Sequence, residues 1–334
     1  MSEGWRIGGR YAAAATSAAL VTATFHVPQP FLGVLVAFLL VSAKSLPHER
    51  IFLRLVGAVI GIVTGVLLLV TFPQQPWLLL PIFAVIVAAG LYYSSLTKDD
   101  SVVLSTLVAL VAGVPTTILS PNLAVFGALT HGINVIIGIL CAAFAFLLFP
   151  AKEVFSKDTI EIYSFSRALS VGITVVLGMV FAAIFLPTGA AILVIASAIM
   201  AFRLFESSVP SFITQKMMGA VVGVILAILF NIIIVGAADN ITLFLIILGL
   251  FFVAAGWVGH WKPGICPCLL QGTAMFAVAA PCLPEPQTSF VAMMGRVEDV
   301  IVGCVAGIIV YKFHVWTEHW KSISAPEYSK PASK

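Results

Sequence analysis

Charge is scarce in this chain: only 9% of its 334 residues are charged, while 61% are hydrophobic and the mean hydropathy is +1.13. Soluble domains carry about 25% charged residues, so this scarcity excludes a soluble domain of useful size. Apolar runs recur from end to end, and each is long enough to cross a hydrocarbon layer of about 30 Å as a helix. The sequence therefore predicts an all-α, polytopic membrane protein.

Other features are also missing. The five cysteines form no disulfide framework, since Cys141 and Cys304 fall within apolar runs. Cys266 and Cys268, with His260 nearby, are too few for a convincing soft-metal site, so no metal or other cofactor is predicted. The chain has no HExxH, GxSxG or DxD motif, which argues against an enzyme. It also has no polybasic tract that would indicate nucleic acid as a partner.

About twelve helical spans are predicted. They lie near residues 7–25, 29–43, 52–72, 77–94, 102–118, 122–149, 168–185, 188–204, 213–235, 240–258, 265–281 and 290–311. The second and eighth are short, and the fifth and eleventh contain Pro and Gly, so ten or eleven full crossings are an alternative. Lys and Arg fall on one side of this arrangement, and Arg296 alone lies in the outer half. The positive-inside rule then places both termini in the cytoplasm.

The two halves of the chain repeat each other. RLVGAVIGIVTG, from Arg54, matches KMMGAVVGVILA, from Lys216, and GINVIIG at 132–138 matches VEDVIVG at 297–303. Arg10 before the first span matches Arg167 before the seventh, so the first span belongs to the fold and is not a removable leader. Each half has about six spans, which makes the repeat parallel. The predicted parts are a first six-helix repeat (1–150), a cytoplasmic linker (151–164), a second six-helix repeat (165–313) and a cytoplasmic tail (314–334).

Matched small residues and prolines occur in both halves. Small residues four apart let helices approach closely in lipid. They are Gly57 and Gly61 in the third span and Gly219 and Gly223 in the ninth. Pro115 and Pro281 interrupt the fifth and eleventh spans. Such interruptions at corresponding places indicate a transport site, although ordinary proline turns at outer helix ends are an equal alternative.

Three charged residues lie inside the predicted twelfth span: Arg296, Glu298 and Asp299. Arg296, Asp299 and Gly303 are spaced to share one helix face, whereas Glu298 points elsewhere. With a span that starts near Phe290, Asp299 lies about 13 Å deep. One interpretation is a buried ion pair that ties this helix to its neighbours. The other is a face along an aqueous cavity, where Arg296 attracts an anion and an acid carries a proton.

His131 and Asn134 occupy the matching positions of the sixth span. A polar pair at the same depth in both halves predicts one central site for substrate and protons at the repeat interface. His131 can titrate near neutral pH, whereas a hydrogen-bonded packing role is the alternative.

Several motifs resemble the fusaric acid resistance and aromatic acid exporter (FUSC-like) superfamily of bacterial inner membrane proteins: PQPFLGVLVAFLLVS, RLVGAVIGIVTG, KMMGAVVGVILA, FPQQPW and GRVEDVIVG. The resemblance implies proton-driven efflux of small, often aromatic, carboxylates by a multi-pass inner membrane protein, with a periplasmic membrane-fusion (HlyD-like) adaptor as partner. Arg296, Asp299 and Gly303 carry the family's pattern, whereas His131 replaces the arginine in the first half. A passive organic-anion channel, a major-facilitator-like carrier and a scaffold subunit are the alternatives, and association into a homo-oligomer is left open.

Overall fold

In the computed structural model, the described part of the chain is mostly helical and contains no strand. The described residues are 3–42, 48–72, 75–97, 101–114, 124–150, 164–185, 210–235, 241–262 and 286–324, with short pieces within 194–202 and 269–277. The long helices in this part are α1 (Glu3–Thr24), α2 (Phe31–Ser42), α3 (His48–Thr71), α4 (Pro76–Thr97), α5 (Ser101–Gly113), α6 (Ala124–Leu148), α7 (Phe165–Phe185), α8 (Pro210–Val235), α9 (Ile241–Trp261) and α10 (Pro286–Ser324).

Each predicted span contains helical residues in the described part, and only short pieces of the eighth and eleventh spans are described. Six helices of the described part are long and apolar enough to cross a membrane: Arg50–Thr71, Trp77–Leu96, Val125–Leu148, Phe165–Phe185, Ile241–Trp261 and Glu298–Thr317. Phe31–Ser42, Val102–Gly113 and Val221–Phe230 are apolar but shorter. The prediction of a multi-pass, all-α membrane protein is therefore confirmed, while the count of twelve crossings and the side of the termini stay predictions.

Helix α1 lies among other helices, since it packs against α2, α6 and α9. The residues that it buries are mostly small: Gly4, Gly8, Ala14, Ala15, Ala18 and Ala19. A Cβ atom added to Gly8 would lie 2.5 Å from the carbonyl oxygen of Val253 on α9. The two backbones are therefore in contact. Close contact of this kind stabilises helix pairs in lipid, where the hydrophobic effect does not drive helices together.

The helices before and after residues 151–164 share their apolar cores. One buried cluster contains both Phe38 of α2 and Phe252 of α9, whose ring centroids lie 5.6 Å apart. The other contains both Phe83 of α4 and Met179 of α7. The contacts across the linker are reciprocal, because α1 packs against α9 while α7 packs against α4. The two predicted repeats are thus joined along two interfaces.

Candidate functional site

His131 of α6 is buried, with 3% of its surface exposed, although its side chain is polar. Its Nδ1 lies 2.6 Å from the carbonyl oxygen of Gly127, one turn earlier in the same helix. Its Nε2 lies 2.7 Å from Oε1 of Gln29, which is in the loop between α1 and α2. Both ring nitrogens therefore have partners, and one of these bonds ties α6 to a distant part of the chain.

Asn134, one turn further along α6, is fully buried and binds the same loop. Its Nδ2 donates to the carbonyl oxygen of Pro28 at 2.9 Å and to that of Thr130 at 3.1 Å. Its Oδ1 is buried and has no hydrogen-bond partner among the described residues. The α-carbon of Gly33 faces this oxygen, since a Cβ added there would lie 3.3 Å from Oδ1. We call His131 and Asn134, with Gln29 and Pro28, the loop clamp.

The loop between α1 and α2 has an unusual backbone. His26 and Gln29 adopt positive φ angles of 50° and 57°. Such angles cost side chains other than glycine about 1–3 kcal/mol each and persist only where surrounding contacts hold them. The backbone N–H groups of Val27 and Leu32 donate to the carbonyl oxygens of Thr22 and Gln29 and close the loop on both sides.

The loop clamp explains how this irregular backbone fits a membrane protein. Helix α2 has 12 residues. It is therefore about 18 Å long, which is shorter than the hydrocarbon layer of about 30 Å. Irregular backbone in hydrocarbon requires cover by protein or by a water-filled cavity. The side chains of His131 and Asn134 supply polar partners to this loop, and the candidate residues of α6 thus act on the connection between α1 and α2.

Helix α10 carries the second candidate group. Asp299 is buried, with 1% of its surface exposed, whereas Glu298 is exposed. Gly303, one turn after Asp299, packs against the carbonyl oxygen of Val194. The buried face of α10 is therefore the face that Asp299 and Gly303 share. Arg296 lies on this helix, and its side chain is outside the described part of the structure.

The two candidate groups belong to different sets of packed helices. Helix α6 packs against α1, α2, α3 and α5, whereas α10 packs against α7 and, less extensively, α8. His131 and Asn134 are brought together on one loop, while Asp299 lies on α10, which packs mainly against α7. A single central site that unites all of them stays a prediction.

Comparison with known proteins found one family that is similar to the first part of this chain. Residues 5–157 match the fusaric acid resistance protein family. This match covers slightly less than half of the chain. The resemblance predicted from the motifs is thereby confirmed over helices α1 to α6, which contain the loop clamp. Residues 158–334 lie outside this match, and comparisons with curated proteins and with solved structures gave no significant match.

The predicted glycines of the matched segment pack directly on a backbone. Gly57 and Gly61 of α3 face the carbonyl oxygens of Val102 and Thr106 on α5, and a Cβ atom at either glycine would collide with them. The hydroxyl of Thr106 lies 2.9 Å from the carbonyl oxygen of Gly57, across the interface, and 2.9 Å from that of Val102 in its own helix, so its one hydrogen is shared between the two acceptors. Close approach and an interhelical hydrogen bond therefore hold α3 against α5.

The matched glycines of α8 have comparable contacts. A Cβ added to Gly223 would collide with the carbonyl oxygen of Gly272, and one added to Gly272 would lie 2.9 Å from the carbonyl oxygen of Gly219. Pro115 and Pro281, the predicted helix breaks, lie outside the described residues.

Contacts at the other end of α6 join it to α1. Helix α6 ends at Leu148, and the Nε of Arg10 donates to the carbonyl oxygen of Phe149 at 3.0 Å. The guanidinium of Arg10 lies over the ring of Phe146, 4.7 Å from its centroid, and Arg6 donates to the carbonyl oxygen of Pro150. Cations favour the carbonyl end of a helix, so both arginines fix the beginning of α1 to the end of α6.

Gln29 was not among the residues that sequence reasoning selected. It stands in an apparent loop, where polar residues are expected, and only the flanking prolines of PQP set it apart. The described residues contain no group of three His, Cys, Asp or Glu side chains arranged to hold a metal. Cys266 and Cys268, the weak candidate pair, are outside the described part.

Proposed function

We propose that this protein is an efflux transporter of the bacterial inner membrane, which exports small aromatic organic acids in exchange for protons. A periplasmic membrane-fusion adaptor of the HlyD-like kind is the proposed partner. The match of residues 5–157 to the fusaric acid resistance family and the six apolar helices support a membrane transporter. The absence of enzymatic motifs in the sequence agrees with this class.

One observation carries the proposal most directly. His131 and Asn134 are buried in an apolar helix of the matched segment and bind the irregular loop between α1 and α2. Polar groups are costly in hydrocarbon, and in transporters they mark substrate and proton paths. Interrupted backbone inside a membrane has the same association with transport sites. A structural bundle needs neither feature, because apolar packing of the kind seen between α3 and α5 is sufficient.

Arg296 is the proposed anion-binding residue, with Asp299 or Glu298 as proton carriers. An arginine holds a carboxylate through two parallel hydrogen bonds, whereas lysine keeps the charge but loses this fork. Charged hydrogen bonds contribute about 1.5–3 kcal/mol each, so loss of one lowers affinity by roughly 10- to 100-fold. We therefore expect Arg296→Ala to abolish export and Arg296→Lys to retain a fraction.

The test uses everted membrane vesicles with an imposed proton gradient and labelled fusaric acid as the probe. Lys312→Ala is the matched control, since Lys312 is an exposed cation on the same helix. The wild type and the control should accumulate the probe, and Arg296→Ala should not. Normal accumulation by the alanine variant would contradict the assignment of Arg296.

The same vesicles distinguish the alternatives. Accumulation against a gradient that persists after the proton gradient is collapsed would rule out proton coupling. Flux that runs only downhill, with or without a proton gradient, would identify a passive anion channel. A fully inserted wild-type protein without flux, in cells whose tolerance is unchanged by Arg296→Ala and Asp299→Asn, would favour a scaffold subunit.

The proposal includes two parallel six-helix repeats with cytoplasmic termini. Reciprocal packing supports the repeat, because α1 contacts α9 as α7 contacts α4. The glycine contacts support it too: Gly61 and Gly223, at matched positions, each face a backbone carbonyl of a neighbouring segment. Reporter fusions at both ends test the sidedness, and an active periplasmic reporter at either end would contradict it.

A further inference from the structure

The two partners of His131 differ in what they can offer. The carbonyl oxygen of Gly127 can only accept a hydrogen bond, and at 2.6 Å from Nδ1 it requires a proton on that nitrogen. A neutral imidazole has a single N–H, so Nδ1 takes it and Nε2 is left as an acceptor. An imidazolium has two N–H groups, so Nε2 then becomes a donor. Protonation of His131 therefore changes the hydrogen-bonding role of Nε2 alone.

Gln29 is able to meet both roles of Nε2. Its terminal amide carries an acceptor oxygen on one side and a donor NH₂ on the other, and a half turn exchanges them. The recorded orientation, with Oε1 2.7 Å from Nε2, fits the imidazolium. The neutral ring needs the opposite orientation, in which Gln29 Nε2–H donates to His131 Nε2. Gln29 is exposed while His131 is buried, so this amide connects the surface to the ring.

No other titratable group of the described part is placed to compete for this role. Four helices pack against α6, and two of them, α2 and α5, contain no titratable residue. The last titratable residue along α1 is Tyr11, and the last along α3 is Arg54. The residue of α3 that lies beside this part of α6 is the apolar Ile62, which faces Gly132, the neighbour of His131. The loop itself contains His26, which is exposed, and α6 contains Cys141, ten residues away.

We propose that Gln29 and His131 form one proton-binding unit, in which protonation of the ring causes the terminal amide of Gln29 to rotate by a half turn. The loop of residues 25–30, held by Asn134 and by the left-handed backbone of Gln29, carries the change to the surface. Gln29 is therefore a positioning residue, because it acts through the His131 ring, which binds the proton. The inference rests on the proposed proton-coupled transport, but its test does not require transport.

The test is nuclear magnetic resonance of the full-length protein in nanodiscs with ¹⁵N-labelled histidine and glutamine. In the neutral state, the Gln29 N–H···N His131 hydrogen bond should give a ¹⁵N–¹⁵N scalar coupling across the bond. As pH falls through about 8 to 5, the range in which histidines titrate, this coupling should vanish while both His131 nitrogens become protonated. An imidazole that keeps one protonation state throughout, or a neutral form with the proton on Nε2, would overturn the proposal.

Two variants complete the test. Gln29→Glu keeps an acceptor but has no N–H, so the coupling should be absent at every pH while the loop clamp stays formed. His26→Gln removes the exposed histidine of the same loop and should leave the coupling and its pH dependence unchanged. A change caused by His26→Gln, equal to that caused by Gln29→Glu, would show that the loop and not the amide is responsible. If transport is absent but the coupling titrates, the transport proposal fails and this inference stands.

Discussion

The contact between α3 and α5 makes a sharp prediction about stability, with a control on the same helix. In Gly61→Ala, the added Cβ would lie 2.9 Å from the Cβ of Ala109 and would collide with the carbonyl oxygen of Thr106. The obstacle is helix backbone, which cannot rotate away, so α3 and α5 must separate. In Gly65→Ala, the added Cβ would lie 3.7 Å from Cγ2 of Val114, which is an ordinary contact.

The magnitude follows from two opposed terms. Overpacking of this kind costs about 1–3 kcal/mol, and we take the upper end because two rigid helices meet. Replacing glycine by alanine inside a helix returns about 1 kcal/mol at both positions. Gly61→Ala should therefore destabilise the protein by about 2 kcal/mol, while Gly65→Ala should be neutral or stabilising by up to about 1 kcal/mol. The two variants should differ by about 2–3 kcal/mol in free energy of unfolding.

The assay is reversible unfolding in mixed micelles with an increasing mole fraction of sodium dodecyl sulfate, followed by circular dichroism. The wild type and both variants are compared under one set of conditions, and transport is not needed. Gly61→Ala should unfold at the lowest mole fraction of the three. The reasoning is refuted if Gly61→Ala unfolds at the same point as Gly65→Ala or beyond it.

Three further predictions use the same unfolding assay. Thr106→Val removes a hydroxyl that donates across the α3–α5 interface, and it should cost about 0.5–1.5 kcal/mol; an unchanged midpoint would contradict a role for this bond. Gly303→Ala should destabilise the protein by about 2 kcal/mol. Gly295→Ala is its control and should cause no loss, because nothing lies within 4 Å of the added Cβ. Equal unfolding midpoints for the two variants would contradict the close contact at Gly303. Arg10→Ala should cost about 1.5–3 kcal/mol, because it removes a charged hydrogen bond to the carbonyl of Phe149, and Arg10→Lys should recover part of that; a fully stable alanine variant would argue against it.

The positions of the spans could be predicted because the membrane leaves few solutions. An apolar run must be helical to satisfy its backbone, and its length is set by the bilayer. The third predicted span, 52–72, accordingly lies within four residues of α3 at both ends, which runs from His48 to Thr71. The buried face of a helix can also be predicted from the helical period. On α10, Asp299 and Gly303 were predicted to share a face and are both buried, whereas Glu298 is exposed.

Which helices touch could not be read from one sequence. The glycines of α3 predicted a close neighbour, but nothing in their spacing identified α5 as that neighbour. Likewise, the pairing of α1 with α9 joins residues that are far apart in the chain, and the small residues of α1 are compatible with many partners. Small-residue faces indicate that close packing exists, and only the three-dimensional arrangement supplies the partner.

The candidate site was predicted in part, for a related reason. His131 and Asn134 are conspicuous because they are polar within an apolar run. Gln29 is not conspicuous, because its loop looks like an ordinary connection, and its role depends on the short α2 and on a positive φ angle. The buried residues of the loop clamp, His131 and Asn134, can therefore be predicted from their polarity. The part played by Gln29 is seen only in the structure, where its loop lies against α6.

Helix α10 is unbroken from Pro286 to Ser324, a run of 39 residues. At about 1.5 Å per residue it is a rod of roughly 58 Å, and about 38 Å separate the level of Asp299 from its far end. A tilt of about 5° around Asp299 would therefore displace Ser324 by about 3 Å. A lever of this length makes small rearrangements at the buried carboxylate measurable with a spectroscopic label placed far from it.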